Sequence, residues 1–184
     1  AGLANYVSGL SNISAPVNDN NGSGTTRCQY TLDEISWTEA NYSSGTCSVS
    51  GADTSAASSV NIRTFDNVGN QGAGTAVAVV PDTAVPNVSI GGGPLNWQSV
   101  SASLTVDCTD ETGSGCSSNV GYKLYDVNPE TCPTNLADYA VGASVAVSSH
   151  KWICAYGQDN VGNKNTSGPA EVQVDQTLPT ITDD

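Results

Sequence analysis

An internal duplication constrains this chain more than any other feature. Asp66-Asn67-Val68-Gly69-Asn70 returns as Asp159-Asn160-Val161-Gly162-Asn163, a shift of 93 positions, and at the same shift Asp82 falls on Asp175 and Pro86 on Pro179. Earlier in each copy the shift is 91. There Asn5 meets Asn96, Tyr6 meets Trp97, Ile13 meets Leu104, Asp19 meets Asp110, and Gly22-Ser23-Gly24 meets Gly113-Ser114-Gly115. Tyr30 and Leu32 meet Tyr122 and Leu124 at 92. A shift that drifts by one or two positions marks small loop insertions between two related units of about 92 residues.

Each unit breaks into short runs of Val, Ile and Tyr alternating with polar residues, separated by Gly, Asn and Asp. That is the pattern of half-buried strands joined by turns, and helical periodicity is absent. In the second unit strands are expected near 86–90, 101–108, 119–126, 141–148, 151–158 and 168–174, with an irregular one within 130–140. Along 101–108, Ala102, Leu104 and Val106 share one face and Ser and Thr the other. The Asp-Asn-Val-Gly-Asn segment reads as a hairpin loop, because Gly accepts positive φ and Asn or Asp folds its side chain onto the main chain.

The order Gly-Ser-Gly, Tyr30 or Tyr122, then Asp-Asn-x-Gly-Asn, alternating valines and a near Val-x-Asp-x-x-x-Pro (79–86, and approximately 174–179) resembles the tandem immunoglobulin-like repeats of bacterial surface proteins and adhesins. The resemblance spans both units and implies an all-β fold of two tandem immunoglobulin-like β-sandwich domains. The expected division is 1–83, 84–176 and a C-terminal strand at 177–184. Some such repeats bind calcium at their linkers. Here the resemblance adds to the recurrence of carboxylates near strand ends, and hard cations want several oxygen ligands. Asp66, Asp82, Asp159 and Asp175 are the candidates. The competing reading is that Asp66 with Asn70, and Asp159 with Asn163, stabilise hairpins. Calcium is the one cofactor considered.

Six cysteines in 184 residues rich in Ser, Thr, Gly and Asn point to disulfides and an extracellular or cell-surface setting. Zinc would need paired close spacings, and Cys28, Cys47, Cys108, Cys116, Cys132 and Cys154 never approach closer than eight positions. Closure of each sandwich within itself pairs Cys28 with Cys47. Of the three connectivities for the remaining four, the favoured one joins Cys108 to Cys116 and Cys132 to Cys154. Cys154 falls on the outer face of its strand, because Ile153 and Ala155 align with Val60 and Ile62. The same alternation turns Trp152 and Tyr156 outward. They form a contact surface for a subunit or glycan, or else the loop at 127–136 covers them. Tyr6 and Trp97 are expected to cap the sandwiches.

The acidic excess, 18 carboxylates against five cations for a net charge of −13, excludes nucleic acid, since the five Lys and Arg are scattered. No apolar run approaches the roughly 18 residues that cross a bilayer. There is no nucleophile elbow, phosphate loop or paired histidine, and His150 has no evident partner, so catalysis is not expected. The five Asn-x-Ser/Thr sequons, at Asn12, Asn21, Asn41, Asn87 and Asn165, are no more than the Asn and Ser/Thr content produces by chance.

The register of the ends is the sharpest expectation. At a shift of 91, Ala1 falls on Gly92, so the first unit begins after the point where the second has its opening strand, Pro86 to Ile90. Leu178-Pro179-Thr180-Ile181 matches that strand at 93. The sequence therefore suggests a structural repeat of an extracellular filament or adhesin stalk, in which 177–184 completes the first unit of another copy. A continuous tandem array of the same repeats is the competing arrangement, with adjacent repeats as partners. The alternative from another class is a secreted carbohydrate-binding module using Trp152 and Tyr156.

Overall fold

A computed structural model describes residues 5–93 and 96–181; the last three residues of the expected terminal strand lie outside the described residues. The chain divides after Thr83 into two compact units. Both are built mainly from antiparallel strands, and among the described residues no helix is long and apolar enough to cross a membrane.

The first unit contains β1 (Tyr6–Val7), β2 (Leu10–Pro16), β3 (Thr25–Thr31), β4 (Thr38–Ser43), β5 (Thr46–Asp53), β6 (Ser59–Asp66), β7 (Gln71–Ala73), β8 (Val77–Ala78) and β9 (Val80–Pro81). Its hydrogen-bonded order is β2-β5-β4-β3-β6-β7, with β8 also on β6 and β1 parallel to β9. The two layers are joined by β4, which pairs with β3 through 38–40 and with β5 through 41–43. Among the described residues β2 has β5 as its only strand neighbour.

The second unit contains β10 (Asn87–Gly91), β11 (Ala102–Thr109), β12 (Cys116–Tyr125), a single 3₁₀ turn (Leu136–Asp138), β13 (Ala140–Val141), β14 (Ser144–Val147), β15 (Lys151–Asp159) and β16 (Lys164–Val172). Sheets β10-β11-β14 and β13-β12-β15-β16 form the two layers of an immunoglobulin-like sandwich. The alternating face of β11 supplies Ala102, Leu104 and Val106, which meet Ile153, Ala155 and Val172 from the other sheet. Leu104 and Ile153 are wholly buried, and full burial of such a side chain contributes about 1.5–3 kcal/mol.

Two expectations need correction. The last strand starts at Lys164, not 168, because the hairpin is tight and the ladder resumes at once with Gln158 opposite Lys164. The 130–140 stretch is a loop with the 3₁₀ turn and reaches a sheet only at Ala140.

The units use equivalent strands unequally. On β2, Ser11, Ile13 and Ala15 hold the places of Ala102, Leu104 and Val106, yet all three are half-exposed. Val60 and Ile62 of β6 are likewise half-exposed, whereas Ile153 and Ala155 are fully buried. The first sandwich is thus open along one side.

Candidate functional site

Each duplicated hairpin is tied by hydrogen bonds to the Gly-Ser-Gly loop of its own unit. Asp159 Oδ1 accepts from the backbone N–H groups of Val161, Gly162 and Asn163 at 2.9, 2.6 and 2.8 Å, and its Oδ2 accepts from Asn163 Nδ2 at 2.7 Å. Asn160 then donates through its side chain to Ser114 O at 2.7 Å and through its backbone to Gly115 O at 2.9 Å. The Gly-Ser-Gly loop is tied to the hairpin in this way, and Gly115 N–H donates to Asp110 Oδ2 at 2.8 Å.

The first unit repeats the arrangement. Asp66 Oδ1 accepts from Val68 and Asn70 N–H, Asn67 donates to Ser23 O, and Asp19 Oδ2 takes the Gly24 N–H at 2.6 Å. Burial acts to raise the Asp66 pKa, but the hydrogen bonds from Asn70 and Val68 outweigh it and hold the carboxyl below its ordinary range. Of the linker carboxylates, Asp175 is exposed and accepts from Thr177 N–H at 2.8 Å. Asp82 is buried, with its backbone N–H on Val7 O at 2.8 Å. Asp66 and Asp159 therefore have the hairpin partners that the competing reading required.

The disulfides are Cys28–Cys47, Cys108–Cys116 and Cys132–Cys154. The first links β3 to β5 and so ties the two layers of its unit. The third fastens the loop after β12 onto β15. That loop corrects the expected contact surface, for Tyr156 is only 2% exposed and packs with Tyr139 and Cys154 against Tyr125, Cys132 and Leu136. Trp152 is half-buried. The rings of Tyr139 and Tyr156 stand 5.5 Å apart, and the Tyr139 hydroxyl donates to Pro133 O at 2.6 Å. Burial, reinforced by Tyr125, Asp138 and Tyr156, pushes the Tyr139 pKa up to about 12; burial raises that of Tyr156 as well. Trp97, expected as a cap, is instead 59% exposed beside His150, which has a partner after all in Glu171 Oε1 at 2.9 Å.

The remaining feature is the open side of the first unit. Its counterpart in the second unit shows what such a seam holds. There β10 runs antiparallel to β11, with Asn87, Val88, Ser89 and Ile90 opposite Thr109, Cys108, Asp107 and Val106. The Val88 side chain, 6% exposed, packs between the layers on Val106 and Ala155, and Gly157 lies against it. Asn165 of β16 donates to Pro86 O at 3.0 Å. The strand is thereby laid between β11 and the facing sheet.

In the first unit the equivalent place is a cavity open to solvent, of about 250 Å³. On β2 and just beyond it the cavity is lined by Ala15, Pro16, Val17 and Asn18, which at the shift of 91 correspond to four of the five residues paired with β10. From the other layer come Ile62, Thr64 and Gly72, which at the shift of 93 correspond to Ala155, Gly157 and Asn165. Residues 177–181 carry no strand in the single chain, and Leu178, Pro179, Thr180 and Ile181 are exposed, Ile181 to 92%. Sequence reasoning found the terminal match but not the cavity. The register shift would have found it, because it aligns Ala15 and Thr64 with the residues that hold Val88.

Comparisons with protein-family models and with curated protein sequences found no match. Among solved structures the chain is similar to the fibronectin(III)-like modules of Clostridium thermocellum CbhA, with 13% identity and a TM-score of 0.46 over 93% of this chain and 88% of that one.

Proposed function

We propose that this chain is a structural repeat of an extracellular filament or stalk, in which the segment at 177–184 of one copy adds as a strand to the open edge of β2 in the next. The observation that carries this reading is the contrast between two equivalent edges. In the second unit β10 pairs with β11 from Thr105 to Thr109, whereas the matching edge of β2 has no strand on it among the described residues. A strand edge offers a row of unpaired N–H and C=O groups beside exposed core, a costly state that an added strand relieves. Strand addition of this kind supplies main-chain hydrogen bonds for affinity and side-chain pockets for specificity.

A donor on one copy and an acceptor on the next make a heterologous contact, and such contacts generate open fibres wherever their rotation does not close into a ring. Three disulfides suit an oxidising, extracellular environment. The charge of −13 keeps neighbouring rods apart. Burial of Tyr156 leaves the glycan-binding alternative with the half-buried Trp152 alone.

Electron microscopy of the purified chain, combined with its intact mass in denaturant, tests the proposal. Filaments together with a denatured mass near 18.7 kDa are expected. Filaments whose denatured mass is a multiple of that value would establish a continuous tandem array in place of strand exchange. A monodisperse monomer at high concentration would overturn the filament reading.

A further inference from the structure

We infer that the cavity of the first unit is a socket for the Ile181 side chain of a second copy, which sets the register of the added strand. The inference rests on the strand-addition reading and specifies it. At the shift of 93, Leu178, Pro179, Thr180 and Ile181 stand where Val85, Pro86, Asn87 and Val88 stand. Val88 enters the core opposite Cys108, whose equivalent on the first unit is Val17, and Ile90 packs partly against the same core, so that Ile181 and Asp183 hold the two inward places in the tail. The incoming strand therefore runs antiparallel to β2 with Ile181 opposite Val17. Leu178 takes the place of Val85, which precedes β10 and is exposed.

The socket is a displaced version of the Val88 site, not a copy of it. On the β2 side Val106 is replaced by Ala15, which removes two methyl groups. On the β6 side Gly157 is replaced by Thr64. A β-carbon at Gly157 would already stand 2.8 Å from Val88 Cγ2, so the Thr64 side chain pushes any occupant away from β6. Val106 lies opposite Ile90 and shares a core cluster with Val88, so the space opened at Ala15 is diagonal to residue 181. The tail carries Ile where the second unit carries Val, and the extra methyl reaches into that space. Loss on one wall, gain on the other and a longer plug are mutually consistent, and volume-matched exchanges of this kind are the ones that packing tolerates. The socket is thus matched to the tail of another copy and mismatched to a β10-like strand.

The test uses the full chain and sedimentation velocity to read polymer formation in five forms: wild type, Leu178→Asp, Ile181→Asp, Ala15→Val and the double variant Ala15→Val/Ile181→Val. Residue 181 is exposed in the single chain, so its substitution leaves the fold of the monomer intact. Wild type and Leu178→Asp are expected to polymerise alike, and Ile181→Asp to stay monomeric. Ala15→Val should weaken association by about tenfold or more, corresponding to the loss of one well-packed contact, and the double variant should recover most of it. Polymerisation by Ile181→Asp at the wild-type level, or a double variant weaker than Ala15→Val alone, overturns the socket while leaving strand addition in place. Failure of the wild type to associate overturns both.

Discussion

Gly157 and Val88 are in contact that only a hydrogen on the glycine permits: a β-carbon at residue 157 would lie 2.8 Å from Val88 Cγ2 and 3.1 Å from Cys108 Sγ. The closeness follows from laying β10 directly over the interlayer core, where its inward Val88 side chain must share space with β15. Gly157→Ala is expected to destabilise the second unit by about 1–3 kcal/mol, as overpacking does. A lowered melting temperature, recovered in part by Val88→Ala in the same chain, checks it. An unchanged melting temperature would show that β10 is not held against β15.

The Asp159 carboxylate, 1% exposed, satisfies three backbone donors and one side-chain amide. Asp159→Ala strands those donors in a buried turn and is expected to cost about 3 kcal/mol, the range for losing charge-assisted hydrogen bonds. Asp66→Ala removes the equivalent contacts at a more exposed hairpin and should lower stability by less. Denaturant unfolding of both variants measures the difference, and equal losses would refute the role of burial.

Removal of Cys132–Cys154 by double substitution to Ala frees a loop spanning a separation of 22 residues. The expected loss is roughly 3 kcal/mol on the chain-entropy account. Because this loop covers Tyr139 and Tyr156, hydrogen exchange of β15 should rise in the variant. Protection equal to wild type would mean that packing alone holds the loop.

Tyr139 has its pKa raised from the ordinary 10.0 to about 12 by burial and neighbouring Tyr125 and Asp138. The fold favours the neutral phenol, so this contribution to stability is complete below the unfolded value and is lost as pH rises through about 12. Ultraviolet titration should show late phenolate ionisation from Tyr139 and Tyr156, and the Tyr139 step near 12 should disappear in Tyr139→Phe. Its persistence in that variant would assign the step to another tyrosine.

The sandwich strands were legible because alternation is a local property: Ala102, Leu104 and Val106 are inward in sequence and in space. The hairpins were legible because Asp-Asn-x-Gly-Asn carries its own hydrogen-bonding groups. Side-chain alternation correctly put Tyr156 on the face away from Ile153, but whether that face meets water depends on the irregular 126–139 stretch, which has no period to read. His150 lacked a visible partner because Glu171 lies 21 positions away on a neighbouring strand. The cavity was the least legible feature, since it depends on what two distant layers leave between them. Only the comparison of Ala15 and Thr64 with Val106 and Gly157 exposes it.

The passage of β4 from one layer to the other makes the first unit one folded ribbon, with β2 and β7 as its lips. Cys28–Cys47 bonds the strand on one side of that crossing to the strand on the other, so the ribbon is pinned at its fold. Under the strand-addition proposal the space between the lips is thereby set in the single chain, and an entering strand has to fit the mouth that it finds.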